Sequence, residues 1–281
     1  MKDLLNKIIY QIYVRNFTKE GTFNGVISKL DYIKELGTDI IYLLPVNTIG
    51  KDGRKGDLGS PYSIKDYYEI NPELGGEASF DNLIKKAHEK GLKVMIDIVF
   101  NHTSRDSKIY KEHNSWMYHN LEGKEANKMG DWSDVYDLDL TNDELCDYLV
   151  RVIEHYCKKG VDGFRFDVAS LLTKKFYIKL RKMLDEKYPS TILLAESVHI
   201  GFVNYGRSLG FNVLSDQELV DYGGFDLLYQ YNTIEPLTNY LNNGDKIELD
   251  RYKVLLLSDL GSLSSSALRI RGLENHDQKR L

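Results

Sequence analysis

The segment Gly163–Ser170, GFRFDVAS, places an arginine and an aspartate within a run of apolar residues. Its composition predicts a short buried strand, and alternation along a strand puts Arg165 and Asp167 on the same face. The opposite face carries the apolar residues Phe164, Phe166 and Val168. A buried charge is costly unless it is paired. The segment therefore predicts either a site that needs an ionised aspartate or a structural ion pair.

Length, composition and charge narrow the class of protein. The chain has 281 residues, of which 42% are hydrophobic, enough for one large α/β domain or two small ones with a sizeable core. The formal net charge of −5 argues against a nucleic-acid partner. No apolar run approaches the roughly 18 residues of a membrane span. We therefore expect neither a nucleic-acid nor a membrane partner, and the oligomeric state stays open.

Two features bear on the cellular compartment. The segment 1–17, MKDLLNKIIYQIYVRNF, has acidic and amide residues where a signal peptide needs an unbroken apolar core. Cys146 and Cys157 fall in one predicted helix, about three turns apart, which at about 1.5 Å per residue exceeds disulfide reach. We expect packing cysteines in a reducing compartment, and hence a cytoplasmic protein.

Apolar strands alternate with amphipathic helices along the chain. Seven segments have a strand pattern: 8–13, 39–46, 93–101, 162–169, 191–196, 225–231 and 266–274. Helices are predicted at 24–36, 77–90, 142–159 and 173–188, with two more between the last two strands and an irregular stretch at 201–224. Strands and helices that alternate in this way predict parallel βα units.

A (β/α) barrel fits these units better than a doubly wound sheet. No glycine-rich phosphate loop follows the first strand. Charged and polar residues end four strands, which is typical of barrels whose site lies at the carboxyl ends. A barrel of eight needs one more βα unit after the seventh strand. We therefore expect an α/β, (β/α)8 TIM-type barrel over residues 1–281 that lacks its eighth βα unit.

The strand ends carry acids that suit sugar chemistry. Asp167 and Glu196 follow consecutive parallel strands, which lie about 4.8 Å apart. That spacing allows the roughly 5 Å separation of the two carboxyls in a retaining glycosidase. Arg165 would keep Asp167 ionised as the nucleophile. Glu196 has no cation beside it in the sequence, so it could hold the proton of a general acid.

Four short motifs, in this order, resemble the signature regions of the alpha-amylase family (glycoside hydrolase family thirteen). They are DIVFNH at 97–102, GFRFDVAS at 163–170, AES at 195–197 and ENHDQ at 274–278. The resemblance extends over essentially the whole chain, from QIYVRNF at 11–17 onward. It implies a (β/α)8 barrel and a retaining, double-displacement attack on α-glucosidic bonds of oligo- or polysaccharides.

The resemblance also implies residue roles. Asp167 matches the nucleophile, Glu196 the general acid/base, and Asp277 the acid that binds sugar hydroxyls and stabilises the oxocarbenium-like state. Five further positions match residues that bind or orient the sugar or support the pocket: Tyr62, Asp97, His102, Arg165 and His276. For Tyr62, a packing role in its loop is the alternative. Trp132, in GDWSD, is expected to pack rather than to line the cleft.

The sequence departs from the family pattern in several places. Many endo-acting members have Lys-His where this chain has Ala169 and Ser170, which argues against ordinary starch cleavage. The excursion at 103–140 is short for the small domain inserted after strand three. Asn101 matches a calcium ligand of some members, but one amide oxygen is far from the six to eight ligands that calcium needs, so no metal and no other cofactor is predicted.

The largest departure is at the end, where the family's eighth βα unit and C-terminal β domain are not found. Unpaired edge strands favour pairing between chains, so we expect this chain alone to be poorly soluble or inactive. Three functions remain open. They are hydrolysis of an α-glucan or oligosaccharide, transfer to a sugar or phosphate by a glucosyltransferase or phosphorylase of the same family, and a non-catalytic truncated homologue.

Overall fold

The computed structural model describes residues 2–130, 132–259, 267–272 and 274–278. Within these ranges the strands are β1 (Ile9–Ile12), β2 (Ile40–Leu43), β3 (Asn47–Ile49), β4 (Ile64–Ile70), β5 (Lys93–Ile98), β6 (His102–Ser104), β7 (Val135–Asp137), β8 (Gly163–Phe166), β9 (Ile192–Ala195), β10 (Leu227–Tyr229) and β11 (Leu268–Ile270). The helices are α1 (Val14–Phe17), α2 (Phe23–Ile27), α3 (Leu30–Glu35), α4 (Gly76–Glu89), α5 (Lys108–Glu112), α6 (Asp143–Lys158), α7 (Lys174–Lys187), α8 (Ile200–Ser208), α9 (Asp216–Gly223), α10 (Ile234–Asn243) and α11 (Lys246–Asp259).

One parallel sheet organises the described part of the chain. Its order is β1-β2-β5-β8-β9-β10-β11, and every neighbouring pair in it is parallel. These are the seven predicted strands, each in the predicted place, although Ser266 and Leu273 of the last prediction lie outside the described residues. Parallel strands taken in chain order, with helices between them, confirm the predicted barrel class.

Two antiparallel hairpins were not predicted. β3 pairs with β4, and β6 pairs with β7. The first lies between the predicted strand at 39–46 and the predicted helix at 77–90, where no element was predicted because the charged and aromatic residues of IKDYYEI hide the alternation of β4. The second closes the predicted insertion at 103–140 against the carboxyl end of β5.

The helix predictions need two corrections. The single helix predicted at 24–36 is two short helices, α2 and α3, because Lys29 leaves helical geometry at φ −110° and ψ 2°. The stretch at 201–224, predicted to be irregular, holds α8 and α9. Ser215 and Glu218 form a capping box that begins α9, with each side chain satisfying the other's backbone N–H.

The apolar face of β8 packs on an aromatic cluster outside the sheet. Phe166 is fully buried, and its ring lies 5.6 to 6.3 Å from the rings of four other aromatic residues. These four are Phe100, Phe176, Tyr177 and Phe225. Arg165 faces the other way, so the predicted alternation is confirmed for Phe164, Arg165 and Phe166. The prediction that Val168 shares the apolar face was wrong, because the strand ends at Phe166 and Val168 lines the same pocket as Asp167. Cys146 and Cys157, both on α6, are buried free thiols that pack in the same layer.

The two edges of the sheet, β1 and β11, border one groove. Its volume is about 660 Å³, and its walls include Ile9 and Gln11 from β1 and Leu268 and Ile270 from β11. This groove is larger than the pocket that holds the predicted acids, but it is lined mainly by apolar side chains. None of the described helices has the length and apolar character needed to cross a bilayer.

The aromatic cluster predicts the cost of a core substitution. Phe166→Ala removes a fully buried ring, so the free energy of unfolding should fall by about 3–5 kcal/mol. Ile178→Ala, on the exposed side of α7, is the control and should change it by less than about 0.5 kcal/mol. Urea denaturation followed by circular dichroism measures both. Equal midpoints for the two variants would contradict the assigned packing.

Candidate active site

The carboxyl ends of three neighbouring strands deliver the charged groups of the site. Asp97 lies in β5 opposite Arg165 in β8, and Arg165 lies opposite Leu194 in β9. Asp167 follows β8 directly, and Glu196 follows β9. Because these strands are adjacent and parallel, their ends meet on one side of the sheet. The fold therefore brings together residues that are up to 99 positions apart, from Asp97 to Glu196.

Arg165 is the centre of this group. Its guanidinium is fully buried. Nη1 donates to both oxygens of Asp97, at 2.9 and 3.1 Å, and to Oδ1 of Asp167 at 2.8 Å. Nη2 lies 3.0 Å from Oε1 of Glu196, an ion-pair distance without hydrogen-bond alignment. Glu196 has no cation beside it in the sequence, but strand pairing places the Arg165 guanidinium next to it.

This arrangement limits the separation of Asp167 and Glu196. Both carboxylates contact nitrogens of one planar guanidinium, so the two contacting oxygens lie within about 8 Å of each other. Glycosidase pairs span roughly 5 Å in retaining enzymes and up to about 9.5 Å in inverting ones. The geometry therefore permits a glycosidase pair, and the retaining outcome stays a prediction.

A strained backbone position holds the second carboxylate. Val168 has φ +40° and ψ 48°, the left-handed region that β-branched residues rarely adopt. This conformation costs on the order of 1–3 kcal/mol. It turns the Val168 N–H toward Glu196, whose Oε2 accepts the hydrogen bond at 2.7 Å. The turn at Val168 thus fixes the position of the Glu196 carboxylate.

Burial and charge shift the pKa of Asp167. Burial raises it well above its ordinary range, the Glu196 carboxylate raises it further, and Arg165 offsets part of the effect. Arg165 was expected to keep Asp167 ionised; it does lower the pKa of Asp167, but burial and the Glu196 carboxylate outweigh it. Two carboxyls this close resist ionising together, because the negative charge of each disfavours the ionisation of the other. A glycosidase needs one carboxyl ionised as the nucleophile and the other protonated as the general acid.

Two tyrosines complete the surroundings of Asp97. The hydroxyl of Tyr42 donates to Oδ2 of Asp97 at 2.5 Å, and that of Tyr62 donates to the same oxygen at 2.9 Å. Asp97 is 1% exposed and accepts from Arg165 as well. It therefore lies beneath the pocket as a support, as the family resemblance implied. Tyr42 was not predicted, since an apolar strand such as IIYL gives no sign that its tyrosine points inward.

The last motif reaches the same site. The Nε2 of His276 lies 2.7 Å from the hydroxyl of Tyr62 and 3.2 Å from Oδ2 of Asp277, and its ring is nearly parallel to that of Tyr62. Burial lowers the pKa of His276, and Asp277 offsets this in part. The Asp277 side chain is 49% exposed and borders the pocket.

A pocket of about 310 Å³ opens above Arg165 and Asp97. It brings together six of the eight predicted site residues: Tyr62, His102, Asp167, Glu196, His276 and Asp277. Trp132 also lines it, with its ring 5.5 Å from that of His102, so the expectation that Trp132 only packs was wrong. Burial lowers the pKa of His102, which favours a neutral imidazole in the wall.

One lining pair was missed by the sequence reasoning. Lys55 borders the pocket and pairs with Asp134 at 2.9 Å, and Asp134 is nearly buried. The two residues belong to separate polar loops that carry no motif. Only the hairpins formed by β3 with β4 and β6 with β7 bring these loops to one rim.

Asn101, where no metal is predicted, lies beside a carboxylate and near a lysine. Its buried Oδ1 has no hydrogen-bond partner among the described residues. Its neighbour Asp137 accepts from the Lys128 N–H, and the buried ammonium of Lys128 donates to the Leu138 carbonyl at 2.8 Å. Burial lowers the pKa of Lys128, while Asp137 and Asp139 oppose the shift. Calcium needs six to eight oxygen ligands, and the contacts of the described residues around Asn101 do not amount to such a set, so the absence of a metal stays a prediction. No cluster of three or more His, Cys, Asp or Glu side chains suited to a metal occurs in the described ranges.

Comparison with known proteins agrees with this geometry. Residues 11–133 match the family model described as alpha amylase, catalytic domain. An oligo-1,6-glucosidase from Bacillus cereus is 33% identical over 221 residues, which cover 65% of this chain and 38% of the relative. A trehalose-6-phosphate hydrolase from Bacillus subtilis is 32% identical over 204 residues, 59% of this chain and 35% of the relative.

Solved structures show the same relationship over nearly the whole chain. An alpha-amylase from Lactobacillus plantarum superposes with a TM-score of 0.91 at 45% identity, covering 98% of this chain and 64% of that one. A noncanonic maltogenic alpha-amylase from Thermotoga neapolitana gives 0.83 at 31% identity, with 98% and 60% covered. The chain thus spans less than two thirds of the length of these relatives. With the four motifs gathered at one barrel mouth, these matches show that the chain belongs to the alpha-amylase family.

Proposed function

We propose that the chain carries the catalytic machinery of a retaining glycoside hydrolase that cleaves α-glucosidic bonds in oligosaccharides. The observation that carries this proposal is the contact of one buried guanidinium, Arg165, with both Asp167 and Glu196 at the floor of a pocket. Glycosidic bond cleavage requires two carboxyl groups held this close, one as the nucleophile and the other as the general acid.

In the first step Asp167 attacks the anomeric carbon. Arg165 holds Oδ1, so the attack falls to Oδ2. As the bond from the anomeric carbon to the leaving oxygen breaks, Glu196 gives its proton to that oxygen, and the leaving sugar departs as an alcohol. A covalent glycosyl ester on Asp167 remains. The Val168 N–H and the guanidinium stabilise the Glu196 carboxylate that results.

In the second step water takes the place of the leaving sugar. The Glu196 carboxylate removes a proton from the water as its oxygen bonds to the anomeric carbon, and the ester bond to Asp167 breaks. This returns Glu196 to its acid form and Asp167 to its carboxylate. Asp277, His102 and His276 line the pocket and are proposed to bind the sugar hydroxyls, with Tyr62 stacking on the ring.

The residues expected next to the leaving sugar, Ala169 and Ser170, favour short substrates. Ala169 and Ser170 stand where endo-acting relatives carry Lys-His, and both are fully buried. Neither side chain can therefore reach a sugar beyond the cleaved bond. This supports oligosaccharides over long starch chains as substrates. A cytoplasmic location is part of this proposal, and the buried thiols of Cys146 and Cys157 are compatible with it.

Covalent labelling tests the nucleophile. A mechanism-based fluoroglycoside should esterify Asp167, and peptide mass spectrometry should locate the label there. Asp167→Asn should lower turnover by on the order of 10⁴-fold or more, and Glu196→Gln by roughly 10²- to 10⁴-fold. Asp143→Asn, on an exposed carboxylate of α6, is the matched control and should leave turnover unchanged. Full activity of Asp167→Asn would refute the assignment, and absence of any label would favour a non-catalytic homologue.

Product analysis separates hydrolysis from transfer. With an oligosaccharide substrate alone, we expect free reducing sugar of retained anomeric configuration, observed by proton NMR at early times. Addition of an acceptor sugar or of inorganic phosphate should leave most of the product as free sugar. Transfer or phosphorolysis products in excess over free sugar would instead assign the chain to the transferase or phosphorylase group of the family.

The charge of Glu196 should affect how kcat/KM depends on pH. Asp167 attacks only when ionised, so activity falls as the pH drops through its pKa. On a substrate that needs no acid catalyst, protein with an ionised Glu196 is also active. In that form the Glu196 carboxylate raises the pKa of Asp167, so Glu196→Gln should move the acid limb of kcat/KM to lower pH. An aryl glycoside with a good leaving group allows the measurement without the acid catalyst, and Glu144→Gln, on exposed helix surface, is the control. An acid limb that stays in place or moves upward would contradict the coupling.

A further inference from the structure

A contact between the two edges of the sheet has no role in the mechanism above. Gln11 lies on β1, and His276 follows β11 at the opposite edge. The Nε2 of Gln11 is 2.8 Å from the Nδ1 of His276. The contact joins the first strand to the motif that carries Asp277, and Gln11 also lines the groove between the edges.

The other ring nitrogen of His276 faces acceptors. Its Nε2 lies 3.2 Å from Oδ2 of Asp277 and 2.7 Å from the hydroxyl of Tyr62. An ionised carboxylate only accepts hydrogen bonds. The proton of the imidazole therefore belongs on Nε2, where both neighbours can receive it.

The hydroxyl of Tyr62 supports the same arrangement. A phenol has one proton, and this one is directed at Oδ2 of Asp97, 2.9 Å away, where Arg165 also donates. Burial raises the pKa of Tyr62, and Asp97 raises it further, so the phenol keeps its proton. Its oxygen is then left to accept from the Nε2–H of His276.

With the proton on Nε2, a neutral ring leaves Nδ1 as an acceptor. Only a donor satisfies that atom, and the amide NH₂ of Gln11 is a donor at hydrogen-bond distance. The charged groups that act on the ring are Asp277, Arg165, Asp97 and Glu196. Burial opposes a second proton on the ring, while Asp277 favours it.

We propose that Gln11 is a positioning residue that holds His276 as a neutral imidazole with its proton on Nε2. That proton is thereby available at the pocket to a sugar hydroxyl in place of the Tyr62 oxygen. The proposal rests on the proposed function only in the identity of the ligand that receives the proton. The fixed tautomer is a property of the protein itself.

Two substitutions at Gln11 test this role. Gln11→Glu replaces the amide donor by an acceptor of the same shape, so Nδ1 should gain a proton and the ring should become charged. The titration midpoint of His276 should rise by about one pH unit or more. Gln11→Met keeps the length without the donor and should lower kcat/KM by about threefold to tenfold. Asn243→Asp, which adds the same charge on exposed helix surface, is the control and should change neither quantity.

Nitrogen-15 NMR of the histidine rings reads the result without any turnover. The unsubstituted protein should show His276 with a protonated Nε2 and a bare Nδ1, and Gln11→Glu should show both nitrogens protonated near neutral pH. An Nδ1–H tautomer in the unsubstituted protein, or identical titration of His276 in both proteins, would overturn the proposal. A protein with the expected tautomer and no glycosidase activity would refute the proposed function alone.

Discussion

One guanidinium holding three carboxylates is the interaction on which the rest of the structure depends. Arg165 is fully buried and contacts Asp97, Asp167 and Glu196, which come from or follow three adjacent strands. Removing one partner of a buried ion pair typically costs about 3–5 kcal/mol, because the other charge is left without compensation. The parallel sheet is what makes the contact possible, since neighbouring strand ends lie within the reach of one side chain. Tyr42 and Tyr62 donate to Asp97, and the strained turn at Val168 donates to Glu196, so both support this group.

The charge balance of the group explains its chemistry. Three carboxyls against one cation leave an excess of negative charge in a buried place, so the most favourable state keeps a proton on the pair above the guanidinium. Burial is the largest cause of the raised pKa of Asp167, and the negative charge of Glu196 adds to it. Neutral histidines in the pocket wall, with their pKa values lowered by burial, avoid adding a second cation.

Sequence patterns predicted much of this architecture, and their failures have physical causes. The strands of the sheet were predicted because both of their faces are buried, which leaves continuous apolar runs. The acids were predicted because each stands at a strand end. Tyr42, Gln11 and the contact between Arg165 and Glu196 were missed, since they depend on which strands are neighbours. The helices α8 and α9 were missed because their glycines and polar residues weaken the periodic pattern.

Asp167 and Glu196 contact the same guanidinium, and burial together with the Glu196 charge raises the pKa of Asp167 above its ordinary range. Carbon-13 NMR of the side-chain carboxyl carbons, followed from acidic to neutral pH, measures this titration. We predict that Asp167 loses its proton well above about pH 4, the ordinary value for an aspartate. The signals of both residues should respond to that step, because the groups are coupled through Arg165. Full ionisation of both carboxyls at or below about pH 4, in independent steps, would contradict it.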